Sequence, residues 1–349
     1  MDQSEAMTAE LETRDDILAT AAEWCDEGCQ VGLATVIATW GSSPRPVGSQ
    51  LVVDGEGRFE GSVSGGCIEG AVIETAIKVM ANGQSEILEF GVSDEQAWEV
   101  GLACGGTVRV YVEKIDSLMK RDLLGRLNAD RAKKRPVALV TNTSTSKQWL
   151  IYENEATSDA PPSEEVTAIA RTALANDHSA THDSAGASYF IQVYNPPLRL
   201  FIVGAVHITQ ALARMGSLAG YAITVIDPRR AFSDAGRFPG YDISSDWPDN
   251  ALAKAKPDRR TAVVTLSHDP KIDDPALETV LRSDVFYIGS LGSNRTHRSR
   301  LARLHEKGFT ESETDRIHGP VGLDIGAKSP TEIAISIMAE ITQARRMAS

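Results

Sequence analysis

Cysteine is scarce in this sequence, with four in 349 residues. So few thiols form no disulfide framework, and we expect them to stay reduced in the cytoplasm. Two of them, Cys25 and Cys29, lie on an amphipathic helical stretch without a second ligand pair at zinc-site spacing, so we interpret them as packing residues. The seven histidines are scattered, and none of them forms a pair that resembles a metal-binding helix.

The sequence also has no excess of positive charge and no long apolar run. A formal net charge of −13 argues against broad binding to nucleic acid. It does not exclude a local basic pocket for one small anion. No apolar run approaches the roughly 18 residues of a membrane span. The acidic start, MDQSEAMTAELETRDD, has no signal-peptide core. We therefore expect a cytoplasmic protein with neither nucleic-acid nor membrane partners.

The chain is longer than the roughly 250–300 residues at which single cores stop growing, so two domains are expected. The pair Pro196–Pro197 marks the predicted boundary, because consecutive prolines stiffen linkers and the sequence pattern changes after them. The predicted domains are residues 1–195 and residues 196–349.

The two halves differ in their predicted elements. In the first half, β-branched runs such as QVGLATVIATW and a hairpin signal at Asp54–Gly55 predict an α+β domain with a β-rich core. A helical pattern there ends at Asn82–Gly83, and the polar stretch 153–185 indicates a mobile loop or a weak helix. In the second half, strands such as LRLFIVGA and YAITVID alternate with helical pieces, which predicts a parallel sheet covered on both faces. The fold class is therefore α/β, with a Rossmann-like C-terminal domain.

The stretch IVGAVHITQALA stands where a dinucleotide-binding loop belongs, between a strand and a helix. Gly204 is present, but Val206 and Thr209 occupy the second and third glycine positions of the fingerprint. Asp227 follows the next strand, where an acid can bind a ribose hydroxyl. A valine side chain obstructs the approach of a pyrophosphate, so NAD(P) binding is disfavoured while the fold prediction stands.

Other residues of this half are candidate ligand contacts. His207 is either a polar cap of the following helix or a contact to a ligand. Arg295 follows the glycine-rich turn in GSLGSNRTHRSR, an arrangement that suits an anion, although a solvated helix face has the same pattern. Asp324 and Lys328, in GLDIGAKSP, are candidates for the same crevice.

Two glycine–cysteine turns in the first half are candidates for chemistry. Cys67 follows Ser64, Gly65 and Gly66 at the start of a helix predicted over 68–81. The backbone N–H groups and the positive end of the helix dipole there favour a thiolate or a bound phosphate.

The second turn carries Cys104, followed by Gly105 and Gly106, and Arg45 lies between two prolines that present its guanidinium. An exposed thiolate suits a soft metal such as molybdenum or copper, or sulfur transfer, and the arginine suits a phosphate. The alternative is that both turns are tight bends with small buried thiols.

Seven segments in order resemble the XdhC/CoxI family, the accessory proteins that mature xanthine dehydrogenase and related molybdenum hydroxylases. They are GSSPRPVGSQLVV, GSVSGGCIEGAV, CGGTVRVYVE, IVGAVHITQALA, TVIDPR, YIGSLGSNRTHRSRL and HGPVGLDIGAKSPTEIAISIMAEI. The resemblance covers both predicted domains. Many relatives carry GAGHVG where this chain has GAVHIT, a departure that puts dinucleotide binding there in doubt.

The resemblance implies a chaperone for the molybdenum cofactor rather than an enzyme. Such a protein binds and protects molybdopterin, in its mono- or dinucleotide form, supports its sulfuration and inserts it into an apoenzyme. The implied partners are a molybdenum hydroxylase apoenzyme and a cysteine desulfurase-type sulfur donor, with a homodimer as a further expectation. Two alternatives stay open, an NAD(P)-dependent oxidoreductase using the Rossmann-like domain and a scaffold that only docks the sulfur donor and the target.

The resemblance also implies roles for particular residues. Cys104 is the favoured thiol on the molybdenum side, and Cys67 is the second candidate. The cradle around them comprises Arg45, Ser64, Gly65, Gly66, Gly105 and Gly106. The candidate contacts in the Rossmann-like domain are Gly204, His207, Asp227 and Arg295.

Overall fold

A computed structural model describes residues 16–41, 43, 45–91, 106–115, 118–155, 162–229, 231–232 and 235–347. The chain divides into two compact units, Met1–Pro196 and Pro197–Ser349. Among the described residues, no helix combines the length and the apolarity that a membrane crossing needs.

The first unit is built around a five-stranded antiparallel sheet in the order β3-β2-β1-β5-β4. Its strands are β1 (Val31–Trp40), β2 (Gln50–Asp54), β3 (Phe59–Gly61), β4 (Glu86–Phe90) and β5 (Thr107–Lys114). The predicted hairpin forms between β2 and β3. There the Asp54 carboxylate accepts the N–H groups of Glu56 and Arg58, each at 2.9 Å, and so closes the turn.

Helix α2 (Glu69–Asn82) covers one face of this sheet through Val72, Ala76 and Val79, which are fully buried. It ends at Gly83 in the left-handed conformation (φ +72°), as the Asn82–Gly83 pair predicts.

The rest of the first unit comprises three helices and a second sheet. The helices are α1 (Ile17–Asp26), α3 (Leu118–Ala132) and α4 (Glu164–Asn176). The second sheet is antiparallel, in the order β7-β6-β9-β8, with β6 (Val137–Asn142), β7 (Gln148–Ile151), β8 (Ala180–Ser184) and β9 (Ala187–Tyr194). One hydrophobic cluster joins α1 and α3 to residues of both sheets, including Leu33 of β1 and Leu139 of β6. The stretch 153–185 therefore holds a regular helix and a strand, where the sequence indicated a loop or a weak helix.

The second unit is a six-stranded parallel sheet in the order β12-β11-β10-β13-β14-β15. Its strands are β10 (Leu198–Val203), β11 (Tyr221–Ile226), β12 (Asp242–Ser244), β13 (Thr261–Thr265), β14 (Tyr287–Ser290) and β15 (Ile317–His318). Its helices are α5 (His207–Leu218), α6 (Pro248–Ala255), α7 (Pro270–Val280), α8 (Asn294–Glu306), α9 (Glu311–Thr314) and α10 (Pro330–Met347).

Helices cover both faces of the parallel sheet, which confirms the predicted α/β fold class. One buried cluster packs α5 and α10 on one face, and a second packs α6, α7 and α8 on the other. The chain reverses its direction of travel across the sheet between β10 and β13. In open α/β sheets this position forms a crevice at the carboxyl ends of the strands.

Candidate functional site

The glycine-rich segments of the first unit follow strands that run in the same direction. Trp40, the last residue of β1, pairs with Thr107, the first residue of β5, and Phe90 at the end of β4 pairs with Val108. Strand β3 runs the same way, because β3 is antiparallel to β2 and β2 to β1, but it ends at Gly61, level with the middle of β1. The segments after β1 and β4 therefore start from one end of the sheet, and the segment after β3 starts further back, on a strand that points to that end.

These segments carry predicted site residues. Arg45 lies in the segment after β1 and is exposed, and Cys67 lies in the segment after β3. Cys104 and Gly105 lie outside the described residues, so the structure does not test the molybdenum-side role predicted for Cys104. Gly106 is buried directly before β5.

Residues 62–68, which we call the thiol loop, are anchored at both ends and exposed at the tip. Val63 and Ile68 are buried in the cluster under α2. Gly65 and Gly66 have φ of +90° and +119°, a region that side chains rarely adopt. These two glycines turn the backbone so that Cys67 is exposed just before α2 begins. The helix starts one residue later than predicted.

A single carboxylate organises the thiol loop. Glu69, the first residue of α2, is buried and points back into the loop. Its two oxygens accept the hydroxyls of Ser62 (2.8 Å) and Ser64 (2.5 Å) and the backbone N–H groups of Val63 (3.2 Å), Ser64 (2.9 Å), Gly65 (3.0 Å) and Gly66 (2.8 Å).

The Ser64 hydroxyl completes the arrangement. Its oxygen accepts the backbone N–H groups of Cys67 (3.1 Å) and Ile68 (3.2 Å). Every backbone N–H from 63 to 68 thus has an acceptor within the chain. The N–H groups that the sequence assigned to a bound phosphate are instead satisfied by Glu69 and Ser64.

The protonation state of Glu69 follows from these contacts. Burial alone would raise the pKa of this carboxyl, but the hydrogen bonds from Ser64 and Ser62 and from the loop backbone lower it to about 2. Glu69 is therefore an anion at neutral pH. Sequence reasoning missed this residue, although an acid shortly after a glycine pair at a helix start was the available signal.

The segment that carries Arg45 is braced from two directions. The Ser43 hydroxyl donates to the Arg45 carbonyl at 2.8 Å. Further along, the Gln192 amide donates to the carbonyl of Gly48, a residue with φ of +89°. These bonds hold the carbonyl groups of Arg45 and Gly48, and Arg45 itself is exposed.

In the second unit, Gly204 allows a close backbone approach within the protein. Its φ is +103°, and a Cβ there would lie 2.7 Å from the backbone nitrogen of Ser267. The ends of β10 and β13 meet at this point. Thr209, in the third glycine position, is buried and donates to the Gly204 carbonyl. Val206 occupies the N-cap position of α5, where its side chain makes no capping hydrogen bond. These side chains fill space that the dinucleotide fingerprint leaves open.

Asp227 is fully buried and is bound by donors of the chain itself. Its carboxylate accepts the Ala205 N–H at 2.7 Å and the Arg229 guanidinium at 2.7 and 2.9 Å. Although burial would raise the pKa of this carboxyl, the hydrogen bonds from Arg229 and Ala205 lower it below its usual value. In this structure Asp227 braces the loop after β10, and its oxygens are not presented to a ribose.

His207 and Arg295 both lie near helix starts at the carboxyl edge of the sheet. His207 is the first residue of α5, and Arg295 lies in the first turn of α8, whose cap Ser293 accepts the Thr296 N–H at 3.2 Å. Their ligand roles stay predictions.

Two buried ionisable residues that sequence reasoning missed lie beneath this edge. Arg300 is only 2% exposed and donates to the Leu291 carbonyl at 2.7 Å. Asp273 interacts with it electrostatically and accepts the Ser267 hydroxyl at 2.6 Å. Burial raises the pKa of Asp273 to about 6. These residues connect the loops after β13 and β14.

The fold and the sequence together define the class of protein. Residues 24–91 match the model of the XdhC and CoxI family, and residues 200–341 match the XdhC Rossmann domain. The chain belongs to the XdhC/CoxI family.

Particular relatives cover nearly the whole chain. It is 31% identical over 330 residues to the molybdenum cofactor insertion chaperone PaoD of Escherichia coli (strain K12), covering 94% of this chain and 88% of that protein. It is 28% identical over 321 residues to a probable xanthine dehydrogenase component of Bacillus subtilis (strain 168), covering 90% and 93%. A crystal structure of a xanthine dehydrogenase from Bacillus halodurans superposes with a TM-score of 0.75 at 28% identity, covering 95% of this chain and 96% of that one.

Proposed function

We propose that this protein is a chaperone that binds the molybdenum cofactor, protects it, supports its sulfuration and inserts it into a xanthine dehydrogenase-type hydroxylase. The observation that carries the proposal is the common direction of β1, β3 and β4, the strands that lead into the Arg45 segment, the thiol loop and the Cys104 connection. The name of the E. coli relative, a cofactor insertion chaperone, supports the same function.

The chemistry of the described donors fits this cargo. The molybdenum cofactor combines a metal, a dithiolene and a phosphate. The exposed thiol of Cys67 is a soft ligand of the kind that such a metal accepts. The exposed guanidinium of Arg45 matches a phosphate. Because the amides of the thiol loop already have acceptors, we assign the phosphate to Arg45 rather than to those amides.

The roles of the remaining residues follow from this assignment. Cys104 is proposed as the thiol on the molybdenum side and Cys67 as the second thiol. Gly65 and Gly66 act through the backbone turn that exposes Cys67. The proposed partners are the hydroxylase apoenzyme and a cysteine desulfurase-type sulfur donor.

Substitution of the thiols tests the assignment. The folded Cys104→Ser variant should retain much less pterin than wild type, measured by the fluorescence of the oxidised pterin, and Cys67→Ser should lose less. Cys29→Ser is the matched control, because Cys29 is a half-buried thiol that packs against the cluster around α1. Equal pterin content in all three variants would refute the role of the thiols.

The oxidoreductase alternative has less support. Asp227 is bound by Ala205 and Arg229, and Val206 stands where a dinucleotide-binding loop needs glycine. Calorimetric titration with NAD(H) and NADP(H) addresses this alternative directly, and micromolar binding would revive it.

A further inference from the structure

The thiol loop has the geometry of an anion site that the protein fills itself. Four successive N–H groups, from Val63 to Gly66, converge on the Glu69 carboxylate, as backbone nests do around a bound phosphate. The occupant here is a side chain of the adjoining helix, and the loop carries the exposed Cys67.

We propose that Glu69 is the positioning residue of this loop. Its carboxylate substitutes for a bound anion and thereby fixes the backbone from which Cys67 meets the cofactor. The inference rests on the proposed function, because the cofactor is the ligand that Cys67 would meet.

The charge of Glu69 is essential to this role. All its donors are N–H or O–H groups, and each carboxylate oxygen accepts at least two of them. Charge-assisted hydrogen bonds of this kind are stronger than neutral ones. A glutamine would offer one acceptor oxygen and turn an NH2 group towards the remaining donors. Glutamine should therefore fail at this position although it has nearly the same volume.

The composition of the loop tip makes such a fastening important. Gly65 and Gly66 carry no side chains to pack, and glycine loses more conformational entropy on ordering than any other residue. Glu69 belongs to the first turn of α2, which is packed on the sheet through Val72 and Ala76. The carboxylate thus ties an intrinsically flexible tip to a fixed helix.

Hydrogen exchange of the peptide covering residues 61–70 tests this hold on the loop in the full-length protein. Glu69→Ala should speed exchange of the Val63, Ser64 and Gly66 amides in this peptide at least tenfold, because they lose their acceptor. Adding formate or acetate should slow it again, since a small carboxylate fits the vacated nest. Glu74→Gln is the matched control, since Glu74 is an exposed acid on the same helix, and it should exchange as wild type does.

Three results would refute the proposal that Glu69 fixes the loop. They are wild-type exchange in Glu69→Ala, equal acceleration in Glu74→Gln, and no recovery with formate or acetate. If Glu69→Ala does not accumulate as folded protein, Glu69→Gln replaces it, with faster loop exchange as the expected result and wild-type exchange as the refuting one.

The positioning role needs a readout that a purely structural role would not change. Folded Glu69→Ala should carry at least fivefold less pterin than wild type, with partial recovery when it is purified in formate. Wild-type pterin content in spite of fast loop exchange would refute positioning. A wild-type protein without pterin would instead remove the proposed function, while the exchange experiments would still decide whether Glu69 fixes the loop.

Discussion

Single side chains decide which polar groups of this protein a ligand can reach. In the first unit, Glu69 satisfies the backbone donors of the thiol loop. In the second unit the roles are exchanged, because the backbone N–H of Ala205 and the Arg229 guanidinium satisfy the carboxylate of Asp227. Both motifs have the sequence of a ligand-binding loop. In each, an internal partner of opposite charge or polarity has taken the ligand's position.

The Glu69 carboxylate predicts acid sensitivity of the thiol loop. Its pKa is about 2 in the folded protein against an ordinary 4.5, so the stabilisation is complete above pH 4.5 and is lost as the pH falls through 2. With an allowance for solvent screening, the contribution is on the order of 2 kcal/mol. The protection factor of the amides in the 61–70 peptide, which is the intrinsic exchange rate at each pH divided by the observed rate, should fall over this window in wild type. It should be low throughout in Glu69→Gln, and the same pH dependence of the protection factor in both proteins would contradict the assignment.

The raised pKa of Asp273 predicts the opposite pH dependence of stability in the second unit. This pKa is about 6 in the folded protein against an ordinary 3.8, so the contribution of Asp273 to the free energy of unfolding is complete below pH 3.8 and is lost as the pH rises through 6. The loss amounts to roughly 3 kcal/mol. Asp273→Asn keeps an acceptor for Ser267 but cannot ionise. The free energy of unfolding of wild type, relative to this variant, should fall between pH 4 and pH 7, and a constant difference would refute the shift.

At the scale of helices and strands, the sequence predicted most of the fold through local signals. The β-branched run of β1, the hairpin turn at Asp54 and the glycine stop after α2 all depend on neighbouring residues. Helix α4 was harder to predict because alanines form much of its buried face and give a weak apolar pattern. Its start signal was nevertheless present, since Ser163 caps it and Glu164 and Glu165 follow.

The candidate site was less predictable than the fold. The motifs around Arg45 and Cys67 could be recognised, but the common direction of the strands before them follows from strand pairing, such as that of Val31 with Asp54. The acceptors of the loop amides also depend on side-chain direction. Whether Glu69 points towards solvent or into the loop is decided by folding, and residue spacing alone does not encode it.

Gly204 lies where the ends of β10 and β13 meet, so a side chain at this position should lower the free energy of unfolding. Gly204→Ala combines a positive φ with a Cβ placed 2.7 Å from the Ser267 nitrogen. The second unit should lose about 3 kcal/mol of unfolding free energy, measured by denaturant titration. Gly308→Ala isolates the conformational part, because its φ is +89° and a Cβ there meets nothing within 4 Å, so it should cost about 1 kcal/mol. Equal losses would show that the close approach is unimportant.

At the scale of the whole molecule, the two units have different characters. The first presents an exposed thiol and an exposed arginine in segments that follow strands of the same direction, and the second is a Rossmann unit whose fingerprint loop is braced internally. Relatives that match nearly the full length contain both. Cargo binding by the first unit is therefore the feature on which the proposed function depends.

Transfer of cofactor tests that function most directly. The protein, purified from a host supplied with molybdate, should carry molybdenum and pterin in equal amounts. When it is mixed with a molybdenum hydroxylase apoenzyme, hydroxylase activity should appear as pterin leaves the chaperone. A purified protein that carries neither metal nor pterin, and adds no activity to the apoenzyme, would contradict the proposed function.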